Sequence, residues 1–474
     1  MSPPAARNLG NLVAQLCLLT VIAISIAQIL VTAAPLSVVA AVALALYFVL
    51  TWRQFTVATW VPIVLSAVLL LIAGIRGTDS ATLIEAVNRM AFLSSLLALL
   101  GILRVVASDA PEIARAGRFL TAQPPGRRYL AMNFGGHVFG LLINLGGLAL
   151  LLEMARGSLD RPDVQLTERQ REWKLRRMTV ATLRGFVLIP MWSPFGFGMN
   201  ALLLAMPGLT YAQVGPRGLG VAMLFLLWGW FLDWLTGPRV APGTLQPPPT
   251  EPADRTGVLI LIGHVVMLGG LVFLLHFAIG WDFQQALLIA VPGYSLIWAA
   301  RTGRHQPGGS AGAMRRTLAA TVRRFPLAAG EIGVFASAGL LSVLALELIP
   351  LDRVQDLVVA LAMPAWQMVA LLNLSLFVLA TVGINPIISA SVIGSVVAQL
   401  HLPGLSLPAA ALSLAGAWSC VMGFTPFITT VAYAGALIGR SPSTVGFRWN
   451  GLYCLSSLVM WTAGMALAVA MGVI

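Results

Sequence analysis

Apolar runs of roughly twenty residues recur from residue 12 to the C-terminus, each long enough for one helix to cross a bilayer. Lipid offers no hydrogen bonds, so a chain that crosses it satisfies its backbone internally, as a helix or a closed barrel does. The runs are rich in Leu, Ala and Val and lack period-two alternation, which selects helices over strands. Charged residues make up only 10% of the 474 positions, too few to cover a soluble protein of this size. The sequence predicts an all-α polytopic membrane protein.

The net charge of +12 does not point to a nucleic-acid partner. Arginines sit in short loops between apolar spans, where they face head groups of the lipid bilayer and set topology. Cys17, Cys420 and Cys454 each lie in an apolar span without metal or redox spacing and read as small core residues. Span 12–31 reads as a retained first helix rather than a signal peptide.

Further spans are expected at 36–50, 60–75 and 90–108, followed by a basic amphipathic stretch carrying Arg115, Arg118, Arg127 and Arg128. An apolar piece, 129–155, and a basic stretch, 156–177, precede spans 179–206 and 218–235. The Pro-rich segment 237–256, with Pro247, Pro248 and Pro249, reads as a linker between halves. Beyond it lie 257–279, 283–300, a basic loop 301–324, then 326–349, 355–400, 408–438 and 449–473. The positive-inside rule places Arg7 and the loops at 115–128, 156–177 and 301–324 inside. It leaves the cation-poor loops near Arg76, Arg217, Asp352 and 402–408 outside. The N-terminus is then cytoplasmic and the C-terminus outside, in a bacterial inner membrane. Segment 129–155 has inside loops on both flanks and is too short for two crossings, which take roughly 40 residues, so it is expected to be a re-entrant hairpin. Segment 355–400 reads as the opposite hairpin or as two tight spans.

The halves repeat. Leu183-x-Gly185 and Met191 match Leu414-x-Gly416 and Met422; Trp192-Ser193-Pro194-Phe195 matches Phe424-Thr425-Pro426-Phe427. Gly208-x-Thr210-x-x-x-Val214-Gly215-x-Arg217 matches Gly439-x-Ser441-x-x-x-Val445-Gly446-x-Arg448. The offset is 231 residues on both flanks and 232 at the Ser/Thr-Pro-Phe motif. The first copy starts inside and the second outside, so the expected units, 35–236 and 257–474, are inverted after a lead helix in 1–34. Inverted repeats with interrupted helices are a sequence pointer to secondary transporters with a mid-membrane site.

Ser193-Pro194-Phe195-Gly196 and Thr425-Pro426-Phe427 are expected to break their spans, because Pro lacks an N–H and Gly loosens the backbone. A break frees helix N-termini that favour anions and carbonyls that can hold Na⁺. The hairpins offer Asn144 and Asn385 as tip residues, with Gly146, Ser389 and Ser391 beside them; an Asn amide is an uncharged donor and acceptor. Asn200 follows the first break and Thr429 the second. Substrate contacts are therefore assigned to Asn144, Ser193, Pro194, Asn200, Asn385, Ser389, Thr425, Pro426 and Thr429. Ion contacts are assigned to Asn144, Gly146, Ser193, Asn385 and Thr425.

His137 in the first hairpin, and Asp233, Glu331 and Glu347 near span ends, read as packing or interfacial residues. His264 and His276 are roughly 18 Å apart along one helix and cannot share a metal through it. No buried acid is expected in the hairpins or broken helices, which favours an anionic or neutral solute. No nucleotide loop or metalloprotease motif is present, so no enzyme activity, metal or cofactor is expected beyond Na⁺ as a coupling ion. A glycan or lipid-linked membrane enzyme, or a non-transporting membrane partner, is the alternative; the short outside loops argue against the enzyme.

The layout resembles the ion transporter superfamily of divalent anion–sodium symporters and citrate and arsenite carriers. One lead helix precedes two units, each of three helices, a hairpin, a broken helix and a last helix. Ser193-Pro194 and Thr425-Pro426 look like that family's Thr-Pro breaks, while Ile143-Asn144-Leu145 and Ile384-Asn385-Pro386 stand in place of its Ser-Asn-Thr tips. The resemblance implies an elevator-type symporter, with the small-molecule solute held between tips and breaks, Na⁺ or H⁺ as coupling ion, and a homodimer. Inversion is checked by labelling single cysteines in intact cells: Ser158→Cys and Gly404→Cys are expected to react from opposite sides, and reaction from one side removes the inversion.

Overall fold

The computed structural model describes residues 3–31, 33–160, 166–237 and 254–474. The Pro-rich segment, including Pro247, Pro248 and Pro249, lies almost wholly outside the described residues. The chain runs through α1 (Pro3–Ala27), α2 (Ala34–Thr51), α3 (Val57–Arg76), α4 (Ser80–Asp109) and a short α5 (Pro111–Thr121). It continues through α6 (Pro125–Ile143), α7 (Leu145–Leu159), α8 (Glu168–Phe186), α9 (Phe197–Ala205) and α10 (Tyr211–Thr236). The second half comprises α11 (Thr256–Ile279), α12 (Phe283–Thr302), α13 (Gly309–Arg324), α14 (Ala329–Leu344), α15 (Leu351–Leu361) and α16 (Ala365–Thr381). It closes with α17 (Pro386–Gln399), α18 (Leu407–Met422), α19 (Thr429–Ile438) and α20 (Gly451–Ala470).

Among the described residues, nine helices are long and apolar enough to cross a membrane. Their outer faces carry exposed Val42, Leu71, Leu259, Val266 and Phe277, side chains that only lipid would accommodate in such density. The chain is an integral, multi-pass membrane protein. Proline at the first turn opens α2, α5, α6, α17 and α18, where its missing N–H leaves no helical bond unmade.

Several expected boundaries shift. The basic segment 301–324 is not a loop: α13 occupies Gly309–Arg324 and runs through a 3-10 turn into α14, one continuous span over Gly309–Leu344. Helix α8 starts at Glu168, inside the stretch read as a basic connection, because Thr167 and Gln170 form a reciprocal capping box. Within segment 355–400 the hairpin is narrower than expected: amphipathic α15 takes the first residues, and α16 and α17 make the hairpin, turning just before Pro386. The first hairpin, α6 and α7, turns at Asn144 and reaches Leu159, beyond the expected end.

Contact between helices follows small residues. Helices α4 and α14 pack along their lengths, with Gly339 against the Arg89 carbonyl. Where α6 crosses α8, a Cβ at Gly185 would lie 1.7 Å from the Asn133 carbonyl oxygen, and one at Gly136 2.1 Å from that of Thr182. Packing is reciprocal: α6 lies on α8 as α16 lies on α18, and α7 packs on α19 as α17 packs on α9. The three cysteines are free and buried.

The crossing makes a stability prediction. Gly185→Ala forces two backbones apart and should cost about 1–3 kcal/mol, read as a lower melting temperature in detergent. Gly263→Ala on α11, where nothing lies within 4 Å of the added Cβ, should not lower it.

Candidate functional site

Helix α8 stops at Phe186 and α9 resumes at Phe197; α18 stops at Met422 and α19 resumes at Thr429. The same device turns the chain at both gaps. Ser193 Oγ accepts a hydrogen bond from the Phe195 N–H at 3.1 Å, and Thr425 Oγ1 accepts one from the Phe427 N–H at 3.4 Å. Both hydroxyls are fully buried. Neither α9 nor α19 has a side-chain cap, so each presents its first-turn N–H groups unblocked by a cap. The following helix cradles each gap through a glycine, Gly218 against the Met191 carbonyl and Gly446 against that of Phe424. The gaps abut where Val187 reaches Gly423.

Arg184 sits at this junction, on the last turn of α8, with 7% of its surface exposed. Nε donates to Asn450 Oδ1 at 2.8 Å; Nη1 donates to the Tyr129 hydroxyl oxygen at 2.9 Å and to the Gly229 carbonyl at 3.3 Å. The guanidinium also lies over the Tyr453 ring, 4.8 Å from its centroid. Asn450 in turn donates to the Gly423 carbonyl at 3.0 Å, so one amide ties Arg184 to the second gap. All of these partners are neutral. Arg does not lose its proton in proteins, so this is a fixed buried cation with no carboxylate against it among the described residues. A lone Arg in an apolar span is a signal that the sequence contains and that the reading above passes over.

The first gap is fastened to the first hairpin. His137 Nδ1 is 2.9 Å from the Gly185 carbonyl, and Trp192 Nε1–H donates to His137 Nε2 at 3.0 Å. A carbonyl only accepts and an indole N–H only donates, so Nδ1 carries the proton and the ring is neutral.

Among the sequence-predicted residues, Asn200 is fully buried; its Nδ2 donates to the Pro194 and Gly196 carbonyls, and its Oδ1 has no partner. Ser389 and Ser391 are buried with unpartnered hydroxyls. Asn385 caps α17, accepting the Ile387 N–H at 3.1 Å, and the Gly383 beside it lies near Phe427, which brings the second tip to the second gap. Asn144 holds φ at 55°, a conformation unusual for a side-chain-bearing residue, and its amide has no partner among the described residues. Pro194 is buried and Pro426 half-buried, while Gly146 and Thr429 are exposed. Two further amides were not anticipated. Asn133 donates to the Leu226 carbonyl and Asn373 to Thr462 Oγ1, each from a first hairpin arm to the last helix of its half. Both are fully buried and keep an unpartnered Oδ1. Asp233 pairs with Arg177 at 2.7 Å and Glu331 with Arg104 at 3.3 Å, in keeping with packing roles.

The fold as a whole matches a solved structure. The YdaH transporter of Alcanivorax borkumensis superposes with a TM-score of 0.58 over 88% of this chain and 98% of that one, at 16% identity. The chain has the fold of a membrane transporter. No family model and no curated protein matches it.

Proposed function

We propose that the chain is a secondary active transporter for a small polar anion such as a carboxylate, coupled to Na⁺ or H⁺. Arg184 carries this reading. A permanent cation held deep in the protein by neutral dipoles costs about 2.5–3.5 kcal/mol or more at the centre of a membrane helix. It leaves a positive potential that an anion can satisfy. The uncapped starts of α9 and α19 add the positive ends of two helix dipoles.

The proposed solute lies between the two gaps and the hairpin tips. Asn144, Asn200, Asn385, Ser389 and Thr429 would supply hydrogen bonds there, and Ser193-Pro194 and Thr425-Pro426 would shape the breaks. A coupling Na⁺ would draw on Asn144, Gly146, Ser193, Asn385 and Thr425. The reciprocal packing of α7 on α19 and α17 on α9 supports two inverted units around this site. The proposal extends, through the sequence resemblance and the positive-inside reading, to membership of the ion transporter superfamily, a symport mechanism, a homodimer and an inner-membrane location with the N-terminus inside.

A thermal-shift screen of the purified protein against small carboxylates, phosphate and sulfate, with and without Na⁺, tests the site. An anion at 100 times its Kd stabilises the folded state by about 2.7 kcal/mol, a readable rise in melting temperature. Arg184→Gln is expected to abolish that rise, and Asn144→Ala or Asn385→Ala to abolish uptake in liposomes while the protein still folds. A wild type that no anion stabilises, or an equal rise in folded Arg184→Gln, contradicts the reading.

A further inference from the structure

A second polar cluster lies apart from the broken helices, where α5, α11 and α12 meet. Glu112, in the first turn of α5, is buried. Its Oε1 accepts the Trp298 Nε1–H at 3.1 Å and lies 3.5 Å from His264 Nε2. On the other side of the ring, His264 Nδ1 is 2.7 Å from the Tyr294 hydroxyl. The imidazole stacks on the Trp298 indole with centroids 3.7 Å apart. Gly257 brings the start of α11 against the backbone of Glu112 and Ala116.

Buried His137 and half-buried His264 differ in what a proton would do to them. His137 faces a donor at Nε2, so adding a proton there breaks its bond to Trp192. His264 faces a carboxylate, which only accepts, and a hydroxyl, which both donates and accepts. The neutral ring points Nε2–H at Glu112 and accepts the Tyr294 O–H at Nδ1. The protonated ring donates to both, and the only rearrangement is a turn of the hydroxyl. In both states each ring nitrogen faces a group of matching polarity.

We propose that Glu112 and His264 form a proton-binding site, and that its occupancy governs how firmly α5 is held against α11. A proton from solvent binds at His264 Nδ1 and turns a contact between a carboxylate and a neutral ring into an ion pair; its loss loosens α5, which leads within a few residues into the first hairpin. The hydrogen bond from His264 keeps the Glu112 carboxyl below its ordinary range, against the opposing effect of burial, so Glu112 remains the anion of the pair. The elements around the ring also carry Arg115 and Arg118 on α5, Arg127 and Arg128 on α6 and Arg301 on α12, with Arg104 and Asp109 on α4, Glu153 and Arg156 on α7, Arg315, Arg316, Arg323 and Arg324 on α13, and Asp254 and Arg255 at the start of α11. Carboxylates ordinarily titrate below the imidazole range. Arginines keep their charge across the range in which imidazoles titrate and add no step of their own. Tyr129 and His137 on α6 are engaged at the first gap, and His276, twelve residues along α11, bonds the Trp281 carbonyl. The proton site stands on this geometry alone; a role in driving transport rests on the function proposed above.

Trp298 is the probe, because a protonated imidazole in contact with an indole quenches it more than a neutral one. Fluorescence of the purified full chain is titrated against the matching Trp298→Phe protein, which removes the other tryptophans from the difference. The wild type should show one quenching step as pH falls. His264→Gln should lose it, and Glu112→Gln should move it to lower pH, because the carboxylate no longer favours the protonated ring. No step in the wild type, or a step unmoved in folded Glu112→Gln, overturns the site. A nitroxide on Gly126→Cys, in the first turn of α6 just after the link from α5, where nothing lies within 4 Å of the added Cβ, reads the coupling. Its spectrum should change over the same pH range and stop doing so with Glu112→Gln; a pH-independent wild-type spectrum overturns the coupling and leaves the proton site to the fluorescence result.

Discussion

A helix cannot stop in the middle of a membrane unless protein takes over the hydrogen bonds it abandons, and most of this structure answers that constraint. At the first gap, Ser193 and Asn200 bond the buried turn, and Gly218 brings α10 against it. At the second, Thr425, Asn450 and Gly446 do the same work. The hairpins exist in the same sense as a cover. Each first arm lies on the helix that breaks, and each second arm lies on the half-helix of the other half. The two breaks are thereby held against one another instead of facing lipid.

Arg184 is the one element of this junction that backbone satisfaction does not require. Neutral side chains would leave α8 equally helical, and the site would lose its permanent charge. Its partners come from α6, α10 and the start of the last span, so the cation also records that these elements meet. The Glu112–His264 cluster is a different kind of polar site. It lies between α5 and the α11–α12 pair, away from the breaks, and its charge can change. A fixed cation suits recognition of an anion, and a titratable pair suits a change of state.

Much of the architecture was legible because Pro and Gly act locally. The Ser193-Pro194 and Thr425-Pro426 breaks and the Asn144 and Asn385 turns fall where composition placed them. The failures have physical causes. Arginine-rich 309–324 reads as a loop by charge, yet Ala, Arg and Met are good helix formers and it continues as α13. Thr167-x-x-Gln170 was a visible start signal for α8, hidden by the charge around it. Asn133 and Asn373 escape a register search because they stand 240 positions apart, off the repeat offset, although each bonds the last helix of its half. Glu112 and His264 meet only through tertiary packing, which no local pattern encodes.

The central claim is that a buried fixed cation at the meeting of two broken helices receives an anion. An experimental structure of the purified protein with a stabilising anion bound tests it most directly. The account predicts ligand density beside the Arg184 guanidinium, between the Ser193-Pro194 and Thr425-Pro426 turns, with Asn450 still bonded to the Arg. Ligand density remote from Arg184, or a guanidinium found paired with one of the protein's own carboxylates, would contradict it.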